Sequence, residues 1–525
     1  MINKLDSLPK ILVPILVLLA YGLLLAKPVN LVTADLGRHI RNGEALLAGN
    51  FEVLKTNFYS YTYPDFPAAN HHWLGGVIYY LVWKFSGFTG LHIFFIAASL
   101  TAFFIFFNIA TKRASTGWAG LLSVLVIPLL LERDEIRPEV FSYVFGGIFW
   151  WLMLKYRDGE ISWKNLLILP VLTILWVNLH IYFFLGFIIV GTFLLESLIL
   201  KNWAAAKRLG LIFLLTLVAS LINPHGLDGA LAPFSIFQNF GYRLAENQTV
   251  WFIEKILPNP NYFVFKISFL ILILSLAARI GLWLSGSKGL TLSSRSDLKK
   301  NLTTDIIFTL GFSVAAWLAI RNFTIFSLFA LPMAAGNLAQ TFNLKTATAN
   351  WLNRTAITTL ILVILIILSG ELGTLYPKSQ NLQLGLEKDN EKALEFFREN
   401  KLTGPIFNNY DIGGYLIYGL PTGEKVFTDN RPEAYPTDFF ASTYIPMQTS
   451  KKTWDEKSAL YKFNAIIFSY RDYTPWGQAF FARILEDPEW KTVFADSRVV
   501  ILLKNNEINK DIIAKYGQTL KIKVN

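Results

Sequence analysis

Apolar runs of membrane-crossing length alternate with short polar connections along most of the chain, and the C-terminal part abandons that rhythm. Eleven runs have the length and composition of a membrane helix: residues 11–29, 90–111, 117–131, 138–156, 163–178, 182–200, 209–222, 263–284, 306–320, 324–338 and 355–372. A further apolar stretch, 73–85, is shorter than a span and is expected to lie along the interface. An amphipathic stretch beginning at Asp35 is expected to do the same, so loop 30–88 carries two interfacial helices. From about residue 376 short periodic segments take over. Helices are predicted at 390–400, 413–420, 455–463 and 476–485, and strands at 405–408, 425–428, 465–468 and 499–503. The fold class is therefore a polytopic α-helical membrane protein of about eleven transmembrane helices (1–375) with a C-terminal soluble α/β domain (376–525).

Basic residues orient the spans. Lys112 and Arg113, then Lys155, Arg157 and Lys164, then Lys201, Lys207 and Arg208, then the stretch from Arg279 to Lys300, and finally Lys345 and Arg354 share one side if 73–85 does not cross. The N-terminus is then cytoplasmic, and loop 30–88 and the C-terminal domain are external, in a multi-pass protein of the cell membrane. Composition agrees: 53% hydrophobic and 16% charged residues exclude an ordinary soluble chain of this length. The net charge of +11 comes without a nucleic-acid motif. The absence of cysteine excludes disulfides, thiolate metal sites and cysteine nucleophiles.

The same topology sends the polar candidates to the external side. Asp35, Arg38 and His39 fall at i, i+3 and i+4, on one helical face; an amphipathic helix with its charges in water is the plain alternative. His71 and His72 follow in the same loop. Six charges crowd the eight residues Glu132 to Glu139. Pro138 and Glu139 suit a helix start, Asp134 and Glu135 could accept a proton or hold a cation, and Arg137 has the shape for phosphate. His180, His225 and Glu246 are external, and Arg321 sits in a connection of almost no length, near where a lipid phosphate would lie. All six histidines reach this side, His92 as an interfacial anchor. Trp73, Tyr79, Tyr80 and Trp83 read as an aromatic belt, and Phe237, Phe240, Tyr242 and Trp251 as part of another interfacial helix. In the C-terminal domain the polar run 428–435 follows a predicted strand end, and Gly413-Gly414 suits a turn or a packing site.

An ordered set of short motifs spans the chain: Asp35-x-x-Arg38-His39-Ile40-x-x-Gly43, Asn57-Phe58-Tyr59-Ser60-Tyr61-Thr62, His71-His72-Trp73-Leu74, Arg137-Pro138-Glu139-x-Phe141-Ser142, Trp176-x-Asn178-Leu179-His180, Asn223-Pro224-His225-Gly226 and Gly413-Gly414-Tyr415-Leu416. In this order and topology the chain resembles the GT-C glycosyltransferases, and more closely a broad bacterial group of GT-C-like membrane proteins. The resemblance implies an inverting transfer of a sugar from a polyprenyl-phosphate donor to a glycan, lipid or protein acceptor on the external face. It maps the acid after the first span to Asp35 and a second external acid to Asp134, with Glu135 or Glu139 as alternatives. Arg38, His39, His71, His72, Arg137, Glu139, His180, His225 and Arg321 become the expected substrate-binding set. No cofactor is named. Asp35 and Asp134 could hold a divalent cation, but the bacterial group commonly has His-Glu-Trp-Leu where this chain has His71-His72-Trp73-Leu74, which weakens the case for a metal. A non-catalytic protein of the same architecture, binding lipid or glycan or serving a membrane complex, is the alternative.

Overall fold

The computed structural model describes residues 2–32, 34–235, 238–285, 292–342, 346–371 and 382–517. The helices run in chain order: α1 Ile2–Leu25, α2 Leu36–Leu47, α3 Trp73–Arg113, α4 Thr116–Leu130, α5 Glu139–Arg157, α6 Ile168–Leu179, α7 Phe184–Ile199 and α8 Trp203–Ala219. There follow α9 Gly226–Ser235, α10 Val250–Ile253, α11 Pro260–Leu284, α12 Leu292–Leu318, α13 Phe323–Phe342 and α14 Thr346–Ser369. The chain divides into two compact units. The first holds Met1–Lys27, His92–Pro233 and Arg243–Leu384; the second holds Pro28–Leu91, Phe234–Tyr242 and Gly385–Asn525.

The first unit is a helical bundle, and the chain is a multi-pass membrane protein. Among the described residues seven helices are long and apolar enough to cross a membrane, and Trp163–Leu179 and Leu302–Leu318 are shorter apolar helices. Helix α3 is two helices joined at Gly87, whose φ of 63° lies in the left-handed region that glycine adopts without strain. The expected separation of 73–85 from the span that follows is thus present in the backbone. Helix α13 is apolar nearly all round and buried from Phe323 to Asn337, packing against α4, α11 and α12. An aromatic stack fixes its middle: the Phe329 ring stacks with its centroid 4.9 Å from Trp150 and 4.0 Å from Phe312.

Several expectations change. Arg279 is not in a basic loop but inside α11, fully buried, where it pairs with Asp305 and donates to Asn337 Oδ1 at 2.8 Å. A guanidinium supplied with a buried carboxylate and amide has no need to reach water. His92 is buried, and its Nε2 donates to the Leu25 carbonyl at 3.0 Å, closing the end of α1 rather than anchoring at an interface. Phe240 and Tyr242 are not helical, and Trp251 lies on α10, stacked at 4.8 Å on Trp317; Phe237 lies outside the described residues, as do 286–291 and 518–525 from the ends used to orient the chain.

The second unit is built on a mixed four-stranded sheet, β1 Ile406–Asn408, β2 Ala465–Ser469, β3 Trp490–Ala495 and β4 Val499–Lys504, in the order β1-β2-β4-β3. Strand β1 runs parallel to β2, while β4 is antiparallel to both β2 and β3. Central β2 is buried on both faces, which is why 465–468 reads as an unbroken apolar run. Phe407 packs edge-on to Trp454, and close to Phe480 and Phe463. The predicted strand 425–428 is absent. Its Val426 instead makes a lone bridge to Ser60, with Val426 N donating to the Tyr59 carbonyl at 3.1 Å and Tyr61 N to the Val426 carbonyl at 3.2 Å. Strand β3 was not foreseen. Tyr79 is fully buried, and the Trp83 ring meets Tyr418 edge-on at 5.9 Å, so these rings serve packing more than an exposed belt.

Candidate functional site

In the second unit the candidates gather around Asp35. It stands at the N-terminal boundary of α2, and its carboxylate oxygen accepts a hydrogen bond from Asn430 Nδ2. Arg38 Nη2 lies 3.7 Å from the same oxygen. Arg38 and His39 are buried, so the helix does not simply turn its charges to water. Close backbone approach makes this possible. A Cβ on Gly37 would stand 2.5 Å from the Gly414 carbonyl oxygen and 2.7 Å from Tyr418 Cβ. Gly413-Gly414 is thus a packing site, through which helix Gly413–Gly419 seats against α2.

Asn430 is delivered by a braced loop. Arg431 grips the Asp429 carboxylate with two nitrogens, at 2.9 and 2.6 Å, and donates to Asn57 Oδ1 at 3.0 Å. Ser60 and Thr62 hydroxyls donate to the Phe427 carbonyl. The motif Asn57–Thr62 is therefore the rail along which segment 426–431 lies. Burial pushes the Glu433 carboxyl up against the opposing pull of Arg431 and Arg38. His39 and His72 meet edge-on at 5.8 Å, and His71 is the neighbour of His72 at the start of α3.

In the first unit a second cluster forms where the 3₁₀ turn Leu131–Arg133, the start of α5, the turn Ala245–Asn247 and the turn Ile320–Asn322 meet. Glu139 holds Arg133 at 3.1 Å and Arg321 at 3.1 Å. Glu246 holds Arg133 at 2.6 Å, and Arg137 and Arg321 at 3.5 Å. Burial raises the pKa of Glu246, but the three guanidiniums outweigh it, and its carboxyl is held far below the usual carboxylate range. Glu246 and the three arginines border a cavity of about 230 Å³. Arg133 Nη2 and Arg321 Nε are buried and find no acceptor among the described residues. Of the charges lining the cavity, three are arginines and four are carboxylates: Glu132, Asp134, Glu135 and Glu246. Asp134 is paired with Lys27, Glu135 with Arg137 at 2.7 Å, and Glu132 accepts from Asn259 at 2.9 Å and from Asn261.

His180 belongs to a buried relay beside this cluster. Trp176 Nε1 donates to Ser142 Oγ at 2.7 Å, and Ser142 Oγ lies 2.8 Å from His180 Nδ1. The Tyr182 amide also points at Nδ1, at 3.3 Å, so Nδ1 accepts and the ring proton sits on Nε2. Burial, then Arg321 and Arg133, hold its pKa well below the ordinary histidine value. His180 is therefore neutral at physiological pH. His225 sits in a turn organised by Asn223, whose Oδ1 accepts from His225 N at 2.8 Å and whose Nδ2 donates to the Ser220 and Gly226 carbonyls.

Each unit thus assembles part of the expected set: Asp35, Arg38, His39 and His72 in one, and Asp134, Glu135, Arg137, Glu139, His180 and Arg321 in the other. Arg133, Glu246, Ser142, Asn430 and Glu433 were not singled out as site residues. For Ser142 the signal was its place in the Arg137–Ser142 motif. A lone glutamate in a long loop gives none for Glu246. Among the described residues no three His, Asp or Glu side chains come together as a metal-binding group.

The fold of the chain is known from a solved structure. It matches the structure of the archaeal oligosaccharyltransferase AglB from Archaeoglobus fulgidus, determined with an inhibitory peptide and a dolichol-phosphate. The match covers 96% of this chain and 75% of that one, with a TM-score of 0.61 and 12% identity. No family model and no curated protein matches the chain.

Proposed function

We propose that the protein is a glycosyltransferase moving a sugar from a polyprenyl-phosphate donor to a glycan, lipid or protein acceptor on the external face of the cell membrane. The observation that carries this reading is the arginine cavity, with buried N–H groups of Arg133 and Arg321 left without acceptors, in a fold similar to that of an enzyme whose structure is in complex with a dolichol-phosphate. Guanidiniums locked in place by Glu139 and Glu246 are preorganised for an oxyanion that develops as the donor bond breaks. The acceptor nucleophile attacks the anomeric carbon and the carbon–oxygen bond to phosphate breaks. The phosphate leaves onto Arg133, Arg137 and Arg321, and the acceptor proton passes to a carboxylate base. A single displacement of this kind inverts the anomeric centre. In the second unit Asn430 and Arg38 orient the Asp35 carboxylate, as a proton acceptor requires. The phosphate takes the Arg133 and Arg321 N–H groups left without acceptors, and Glu246, which reaches all three arginines, is the carboxylate whose charge most opposes it.

The test is sugar transfer by purified protein across a panel of polyprenyl-phosphate sugars and acceptors. Asp35→Asn should lower the rate at least about 10²-fold, the lower range for a general base, and Arg321→Ala should impair use of the donor. An Asp35→Asn protein as fast as the parent removes Asp35 from the chemistry. A parent inactive with every donor, and unable to bind polyprenyl phosphate, overturns the reading.

A further inference from the structure

The first unit carries another charged cavity, at the other end of α5. That helix runs from Glu139, in the arginine cluster, to Arg157, about 27 Å away at the helical rise. At its Arg157 end a cavity of about 220 Å³ opens between the ends of α3, α5 and α13. Its charged lining is Lys112, Arg113, Lys155 and Arg157 against Asp158 and Glu160. Four cations face two carboxylates, an excess of two positive charges, where the arginine cavity has one negative charge in excess. Counting the buried wall behind it, which adds Arg279, Asp305 and Glu196, still leaves one positive charge in excess.

The site is built, not a random surface of lysines. Arg113 is nearly buried and fixed by Asp305 at 2.5 Å, and it runs over Gly336, where a Cβ would come within 2.9 Å of its Nε. Asp305 is shared with Arg279, so one carboxylate serves two guanidiniums. Lys112 and Lys155 share Glu160 at 3.8 and 3.9 Å, beyond hydrogen-bond reach. Lys155 lies 4.2 Å over the Trp151 ring, an aromatic side chain of the type found at lipid headgroup level. Gln340 Oε1 also lines the cavity, buried and without a donor among the described residues.

We infer that this cavity binds a phosphate group, with the two lysines as mobile cations, Arg113 as a fixed one, and Gln340 accepting from a hydroxyl next to the phosphate. The basic-loop rule assigns this end to the cytoplasmic leaflet, where anionic phospholipids concentrate and basic pockets between helices take their headgroups. A phospholipid headgroup and a soluble phosphate share the chemistry, and the experiment separates them. The inference does not depend on sugar transfer.

Purified full-length parent and Lys112→Gln/Lys155→Gln protein are compared by native mass spectrometry after titration with phosphatidylglycerol, phosphatidylethanolamine or inorganic phosphate. Both lysines reach solvent, so the double variant is expected to fold, which its thermal midpoint checks; Lys112→Gln alone replaces it if it does not. Preferential retention of phosphatidylglycerol by the parent, weakened roughly thirty-fold in the double variant, identifies a lipid headgroup site. Saturable inorganic phosphate binding that the variant loses, without lipid preference, identifies a soluble phosphate. Equal retention of both lipids with no phosphate binding, or binding that the lysine changes leave untouched, overturns the inference.

Discussion

Replacing Glu246 with glutamine should weaken the fold and strengthen donor binding, and this opposition of sign tests the role given to the arginine cavity. The carboxylate makes a charge-assisted hydrogen bond of 2.6 Å to Arg133 and longer contacts of 3.5 Å to Arg137 and Arg321. Losing one such bond costs about 1.5–3 kcal/mol, and breaking a buried pair outright about 3–5 kcal/mol. With Glu139 still holding two of the arginines, a loss of roughly 2–4 kcal/mol is expected at neutral pH. The same change takes one negative charge from a cavity that has four. A charge ~6 Å from a bound phosphate repels it by about 0.7 kcal/mol in water and ~2.8 kcal/mol at an effective dielectric of 20. Polyprenyl phosphate should therefore bind roughly three- to a hundred-fold more tightly. Glu246 has its folded pKa depressed, so its stabilisation is fully present above the unfolded carboxylate value of about 4.3 and is lost as pH falls through the folded one. The stability gap between Glu246→Gln and parent should accordingly close on acidification. Denaturation midpoints of detergent-purified protein from pH 3 to 8, with and without the lipid phosphate, measure both effects. A variant as stable as the parent, or one that binds the lipid phosphate no more tightly, refutes the reasoning.

Two structural predictions stand beside this one and those already given. Gly37→Ala must push the Gly414 carbonyl and Tyr418 away from α2, and overpacking of this kind costs about 1–3 kcal/mol; an unchanged denaturation midpoint would show that the helices have room to part. A reporter fused after Asn525 should read external and one placed within 285–300 cytoplasmic; the same side for both would break the orientation inferred from the basic loops.

The apolar runs decided the helices because backbone polar groups in lipid must be satisfied within the segment, so span-length hydrophobicity and helix coincide. Each of the eleven runs contains a helix. Basic residues in short connections were read as an orientation signal, but only structure could tell Arg279, buried against Asp305, from Lys112, which reaches solvent. Both are one positive charge near a helix end, and the difference lies in a partner 26 residues away in sequence. Strand 425–428 failed for a related reason. Its pairing partner is the Tyr59–Tyr61 backbone, more than 360 residues earlier, and local β-propensity carries no word of such a partner. The candidate chemistry divides along the same line. Asp35, Arg38 and His39 were legible because helical spacing alone sets them on one face. The companionship of Asp35 with Asn430, of Ser142 with His180, and of Glu246 with three arginines required the chain to fold, since hydrogen bonds and ion pairs depend on distance in space, which sequence separation does not encode.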